Sequence, residues 1–530
     1  MRYPYSKFRY NARRMPTQDP RKLLLAPGLE DAAVAAILQP YGFEDYRRAD
    51  ANLQSLADEP WARQHLADLI ETLLESIAES ANPDQVLDYL ESFAKAGAMK
   101  LALFSYLKTS PAALHLLTTV FGASPSLSQI LIRNPEYLHW VTRPEVLNRM
   151  RPERKLKQDL QTSLSSIRSK EHRLDALRRF KRRELLAIGV RDLLGNTTVE
   201  ETTRSLSMLA DLLIQEAYGV CRQALTEQYG RPRSGFTVLA MGKLGGGELN
   251  FSSDVDLIYL CGSDTGTTYF RRLAQDLTHA LSDITKEGYL FRVDLRLRPE
   301  GRVGEIVGSF DQFRRYYRGS RGQAWEKLAH IKARPIAGDT TLGKRFLSMM
   351  RPFVYQSWHT ASPHILLSEV RRIKRLIDDK MTKHGESQRN VKLGIGGIRE
   401  IELTVQTLQT LFGRVRPAIQ ERNTVKALTK LMRARLISLE EHQFLVEAYW
   451  FLRNVEHKLQ MVEEQQTHTL SADPLELRRC ALRLGYRDSE EGKSTERFSR
   501  DHARYTERVH EIFTSVMAGE RLAKSARRAG

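Results

Sequence analysis

Two aspartates one residue apart, Asp254 and Asp256, open an apolar run that continues to Leu260. Read as a strand, this spacing turns both carboxylates to one face and sends Val255 and Leu257 to the other. Carboxylates crowded together repel, and a hard divalent cation relieves that repulsion. Mg²⁺ suits the task because it takes oxygen ligands and leaves positions open for water or phosphate oxygens. Just upstream lie Gly242, Gly245, Gly246 and Gly247, with Lys243 among them and the hydroxyls of Ser252 and Ser253 following. Such a turn can bring backbone N–H groups close to a phosphate. It can equally be a tight connection that needs glycine for its dihedrals alone. The order of residues is not that of a Walker A loop.

A third segment, FRVDLRLRPEG, alternates strictly. A strand over 289–298 would bury Phe291, Val293, Leu295 and Leu297. Arg292, Asp294, Arg296 and Arg298 would then share the opposite face. Asp294 is thus the candidate third carboxylate, and Arg296 and Arg298 are candidates to neutralise phosphate oxygens. The alternative is an exposed edge-strand face with charged pairs.

These residues must be held by something, and the pattern around them predicts what. Residues 236–241 and 255–260 read as strands, 269–286 as a helix and 289–298 as a further strand, a compact α/β unit over 234–340. Residues 1–233 read as mainly helical. Leu66, Leu69, Ile70, Leu73, Leu74 and Ile77 recur at three- and four-residue steps as one buried stripe. Residues 173–194 read as a helix carrying Arg178, Arg179, Lys181, Arg182 and Arg183, either a solvated face or a docking surface for an acidic partner. Residues 341–520 return to helix, with a seam at Leu445, Ala448, Leu452, Val455, Leu459 and Val462, and 521–530 form a basic tail. Within that region Ile398, Ile401, Val405 and Leu408 predict a buried helical stripe, with Arg399, Glu402, Gln406 and Gln409 on a polar one. Gly396 and Gly397 at its start fit either an anion at the helix N-terminus or simple capping. Glu326 reads as a packing residue, and His330, His457 and His468 form no zinc-ligand pattern. The predicted fold class is α+β.

The chain has 530 residues, 41% hydrophobic and 28% charged, which fits a globular protein of roughly two to four domains. A net charge of +18 points to an anionic partner without choosing among nucleotide, nucleic acid and acidic protein. Cys221, Cys261 and Cys480 are scattered and odd in number, as expected of a reduced compartment. With no signal-peptide core and no apolar stretch of spanning length, the expectation is a cytoplasmic protein without a membrane partner.

The glycine turn, the Asp-x-Asp pair and the later strand aspartate resemble the nucleotidyltransferase superfamily that includes DNA polymerase beta. The resemblance implies a polymerase-beta-like domain in which three carboxylates bind two metal ions. The superfamily's glycine pair corresponds either to Gly242–Lys243 or to Gly245–Gly246. A finer resemblance covers most of the chain. GKLGGGELNFSSDVDLIYL, VDLRLRPEGRVG, WEKLAHIKARPIAGD and KLGIGGIREIELTVQ are similar to the glutamine synthetase adenylyltransferase/adenylyl-removing family. LIRNPEYLHWV, RRFKRRELLAIGVRDLL and VEHKLQMVEEQQTHTL extend the likeness to both sides.

Full-length members of that family join two catalytic halves. One removes AMP from a tyrosine of glutamine synthetase by phosphorolysis, giving ADP, and the other adds AMP from ATP. With a single Asp-x-Asp unit, this chain resembles one half. Glu248–Ser253 and Gly396–Glu402 lean toward the deadenylylating one. The resemblance implies Mg²⁺, ATP or ADP and phosphate as substrates, glutamine synthetase as target and a PII-type signal protein as a further partner. It implies metal-holding roles for Asp254 and Asp256 and a nucleophile-positioning role for Asp294. Phosphate stabilisation falls to Arg296, Arg298 and Lys332. An RNA-directed nucleotidyltransferase and a non-catalytic scaffold are the competing readings; no RNA-binding module is recognisable, so nucleic acid is not the expected partner.

Overall fold

The computed structural model describes residues 18–97, 100–319, 321–355, 363–463 and 467–519. The basic aromatic stretch 1–16 and the basic tail 521–530 lie outside the described residues. Helices dominate and enclose one small mixed sheet, so the α+β expectation holds.

Helix α1 (Pro60–Ala78) buries the stripe read from the sequence, and its proline sits in the first turn, where a backbone N–H would find no acceptor within the helix. Helices α2 (Lys170–Leu193) and α3 (Val199–Tyr229) follow, the second opened by a Thr198–Glu201 capping box. The basic run on α2 fits neither expected role. Arg179 and Arg182 pair with Glu287 at 3.0 and 2.6 Å, and Arg178 donates to the Ala280 carbonyl. Lys181 lies 4.7 Å from the Tyr289 ring centroid. The acidic and aromatic surface it docks on is the protein's own 280–289 segment.

The sheet comprises β1 (Phe236–Ala240), β2 (Val255–Cys261), β3 (Val293–Asp294), β4 (Val307–Ser309) and β5 (Arg334–Gly338), with α4 (Gly242–Gly246) and α5 (Thr267–Ser282) between its strands. Central β1 pairs antiparallel with β2 on one side and β5 on the other. Strands β3 and β4 share the far edge of β2, both parallel to it. The expected strand over 289–298 is reduced to the two residues of β3. Beyond Leu295 the chain turns, with Glu300 at a left-handed φ of 61° and Arg298 bonded to three carbonyls of its own loop. Short β4 and β5 went unpredicted because neither shows alternation long enough to read.

After the sheet come α6 (Ile398–Phe412), α7 (Leu439–Glu463) and α8 (Ser494–Ala518), packed as a bundle with its own core. Leu445, Ala448, Leu452 and Val455 lie in that core as the seam predicts. Helix α6 is buried on every face except at half-buried Arg399, so Glu402, Gln406 and Gln409 of its polar stripe face protein and not water. One face of the sheet shares a continuous apolar cluster with α1–α3, and the other packs on Phe310, Phe346 and Met350. No helix among the described residues is long and apolar enough to cross a membrane.

Candidate functional site

The site is assembled where β2 starts. Asp256 and Asp294 are register partners on parallel β2 and β3, which sets them side by side. The Val255 N–H donates to the Arg292 carbonyl at 2.9 Å and fixes this register. Burial, followed by the charges of Asp294 and Asp254, pushes the Asp256 carboxyl up to about 6. A carboxyl with two anionic neighbours holds a proton or draws in a cation.

Gly242, at φ 53°, lies directly against this group: a Cβ there would fall 2.2 Å from Asp256 Oδ2. Only glycine leaves the carboxylate its place. The expected glycine turn is a five-residue helix, α4, and two of its glycines serve packing. A Cβ on Gly245 would meet the Lys332 carbonyl oxygen at 2.1 Å, and one on Gly246 would meet Glu248 Oε2 at 2.8 Å.

Asp254 accepts a bond from Arg292 Nε at 2.8 Å. The same guanidinium donates to the Ser252 carbonyl, to Ser252 Oγ at 3.0 Å and to the Tyr289 hydroxyl at 3.1 Å. Asp294 accepts from the Arg296 backbone N–H at 2.8 Å and from Arg296 Nε at 2.8 and 3.0 Å. Burial opposes ionisation of Asp294, but these bonds outweigh it and hold the carboxyl below the usual range. Ser253 sits half-buried beside this group, and a cavity lined by Ser252, Ser253, Phe251, Tyr289, Phe291 and Arg292 adjoins it.

Two cations expected at phosphates are engaged elsewhere. Arg298 staples the 295–304 loop through the carbonyls of Leu295, Arg302 and Gly304, because the strand that would have aimed it has already ended. Lys332 is buried between Glu248 at 2.8 Å and Glu402 at 2.7 Å. Lys243 reaches Glu456 on α7 at 2.6 Å, and burial pulls its ammonium down to about 7. Arg296 is the sequence-assigned cation that stays at the carboxylates, and it is exposed.

Several residues that sequence reasoning passed over hold the site from the bundle side. Glu456 accepts from Asn250 at 2.6 Å as well as from Lys243, and His468 Nδ1 lies 3.1 Å away. Arg453 donates to the Glu248 carbonyl and to Asn250 Oδ1, and is fully buried. The signal was present as Arg453, Glu456, His457 and Lys458 crowding an apolar seam. Gly396–Gly397 shows no anion site. The first amides of α6 are taken by the carbonyls of Val391, Lys392 and Gly397, so capping is what these glycines serve. Glu326 accepts from the Gln323 N–H and the Tyr316 and Tyr317 hydroxyls, a packing role as expected.

Among the described residues no three His, Cys, Asp or Glu side chains converge into a ready metal site. The donor chemistry still fits an oxygen-seeking dication: three neighbouring acids, one of them pushed toward its protonated form by burial and by the other two. Arg292 and Arg296 stand on two of the three.

Residues 114–349 match the family described as glutamate-ammonia ligase adenylyltransferase, and residues 371–517 match GlnD PII-uridylyltransferase. A relative from Nitrosococcus oceani is 36% identical over 427 residues, 77% of this chain and 43% of its own length. One from Mesorhizobium japonicum is 37% identical over 413 residues, covering 74% and 41%. One from Xanthomonas axonopodis pv. citri is 38% identical over 325 residues, covering 58% and 34%. All three are named bifunctional glutamine synthetase adenylyltransferase/adenylyl-removing enzyme. The chain belongs to this adenylyltransferase family. It spans about two fifths of the length of the first two relatives, at 43% and 41%, as a single half would. The adenylyltransferase match runs from the helices before the sheet through β5, and so includes Asp254, Asp256 and Asp294.

Proposed function

We propose that this chain is one nucleotidyltransferase half that moves AMP between glutamine synthetase and phosphate, with phosphorolytic deadenylylation as its favoured direction. The pairing of Asp256 with Asp294 on adjacent strands, with Asp254 close enough to act on Asp256, carries the reading. Acids this close, one of them lying where Gly242 admits no side chain, are of no use to a scaffold, and they are what phosphoryl chemistry needs. The direction rests on Glu248–Ser253 and Gly396–Glu402, whose form is similar to the adenylyl-removing half.

In that reaction an oxygen of inorganic phosphate attacks the phosphorus of the adenylyl-tyrosine. A P–O bond to phosphate forms, the P–O bond to tyrosine breaks, and the tyrosyl oxygen takes a proton; the products are ADP and the unmodified tyrosine side chain of the target. Mg²⁺, held by Asp254, Asp256 and Asp294, would supply charge neutralisation at the phosphate oxygens. Asp294 orients the incoming oxygen, and Arg296 beside it offsets negative charge. Gly242 keeps the Asp256 carboxylate against the backbone. The match of 371–517 to PII-uridylyltransferase supports a regulatory role for the bundle in response to a PII-type protein.

The product nucleotide tests the proposal. Adenylylated glutamine synthetase, MgCl₂ and phosphate should yield ADP with this chain and none without phosphate. Label passing from ATP to unmodified synthetase, with no effect of phosphate, would reverse the direction and leave the site assignment standing.

A further inference from the structure

Most cations around the carboxylates are already committed. Lys332 is held by Glu248 and Glu402, Lys243 by Glu456, and Arg292 by Asp254 and Ser252. Lys392, between β5 and α6, is different. It is half-buried, and among the described residues its ammonium makes no hydrogen bond or ion pair. Yet its charge acts on Asp256 of β2, Glu456 and Lys243 at once, which puts it within electrostatic reach of all three.

The backbone that carries it is fixed. Asn390 Oδ1 accepts from the N–H groups of Lys392 at 3.2 Å and Leu393 at 2.8 Å. The Val391 N–H donates to the His468 carbonyl at 2.8 Å, and the His468 ring lies 3.1 Å from Glu456. The Lys392 carbonyl accepts from Arg399 N–H at the start of α6. Gly396, at φ 69°, passes so near α8 that a Cβ would lie 1.8 Å from the Thr506 oxygen. A mobile surface lysine needs none of this. The ties run from Lys392 through Val391, His468 and Glu456 to Lys243, the neighbour of Gly242.

We propose that Lys392 is a phosphate-binding residue of this site, contributed by the bundle, whose ammonium contacts anionic oxygens of a nucleoside diphosphate or of inorganic phosphate. The proposal rests on the nucleotidyltransferase reading of the carboxylates but not on glutamine synthetase as target. A lysine acts as a point charge toward phosphate, and Lys392 is placed to do so where Lys332 and Arg298 are not.

Calorimetric titration of the full chain with ADP, AMP and inorganic phosphate, each with MgCl₂, tests it. Lys392→Met should weaken ADP binding about tenfold or more at unchanged melting temperature, and Lys392→Arg should recover most of the loss. Loss with ADP and phosphate but not AMP assigns the lysine to the phosphate beyond the adenylyl group; equal loss with AMP assigns it to the adenylyl phosphate. ADP binding by Lys392→Met equal to that of the natural chain would overturn the proposal. Should the methionine variant fail to fold, acetylation of Lys392 in the unaltered chain decides: protection by ADP supports the contact, and equal labelling with and without ADP overturns it. A chain that binds ADP through Lys392 but exchanges no AMP with glutamine synthetase would refute the target and leave Lys392 in place. A chain that binds neither ADP nor phosphate would remove Lys392 from any such role.

Discussion

The sheet meets the helices before it through hydrocarbon and the bundle of α6, α7 and α8 through buried charge. On the first side Leu206, Leu209, Leu213 and Ala217 of α3 belong to the same apolar cluster as Phe236, Val238, Leu257 and Tyr259 of the sheet. On the second, the bundle core contains no strand residue. The contact there runs through Lys332 with Glu248 and Glu402, Lys243 with Glu456, and Arg453 with Asn250. Apolar burial is non-directional and fixes little beyond proximity. Buried ion pairs are strict about geometry and costly when half-made. The difference assigns separate duties: the first junction holds the sheet together, and the second sets where Lys243, Glu248 and Asn250 stand relative to Asp256.

Removing the chemistry should touch neither junction. Asp254→Asn with Asp256→Asn forfeits several kcal/mol of charge stabilisation at phosphate, so AMP transfer should fall on the order of a thousandfold. Two like charges beside Asp294 are lost at the same time, so the melting temperature should hold or rise. An accompanying collapse of the melt would mean the acids are structural.

The polar junction offers the next largest effect. Lys332→Met strands Glu248 and Glu402 without their shared cation and should cost about 3–5 kcal/mol in a denaturant melt. Replacing all three with Met, Leu and Leu should restore much of that stability while activity stays low, because hydrocarbon cannot restore the orientation. Recovery of both would erase the distinction between the junctions. Leu213→Ala on the apolar side should cost about 2–5 kcal/mol and leave the half-saturating phosphate concentration unchanged. A shift in that concentration at constant kcat would show the hydrophobic face also tunes the site.

The same contrast governs what could be read from the sequence. The apolar side was legible because burial leaves a period: α1 and the α7 seam repeat at three and four, and β1 and β2 are short apolar runs. The placing of Asp256 beside Asp294 was legible because the local spacing and the strand register agree, whereas Asp254, expected on the strand, lies one residue before β2 begins. The polar junction left no such trace. Glu402, Gln406 and Gln409 look like a solvated stripe, yet all three are buried: Glu402 accepts from Lys332, 70 positions away, and Gln409 donates to the carbonyls of Ile419 and Glu421. Arg296 and Arg298 alternate like strand residues, but hydrogen bonding ends at Asp294 and the two arginines part company. Pairings of distant charges are set by the assembled fold, and a period cannot announce them.

The smallest effect tests whether the polar junction tolerates protons. His457 packs on Phe251 with ring centroids 4.6 Å apart and the ring planes tilted by 55°. Burial, opposed by nearby Asp192 and aided by Lys458 and Arg453, pulls its ring down to about 4; Glu456 also faces it and acts in the opposite sense to the two cations. The unfolded chain protonates this ring near 6.5, so between 6.5 and about 4 the unfolded state binds the extra proton. Stability is therefore complete above 6.5 and falls with pH across that window by about 1.4 kcal/mol per unit. His330 and His502, also pulled down to about 4, add slopes of the same sign. His457→Phe keeps the ring against Phe251 and removes one titrating group, so melts at pH 7, 6, 5 and 4 should show a shallower decline than the natural chain. Parallel declines would mean that His457 takes its proton while still folded, and that the charged junction opens to water well before the apolar one.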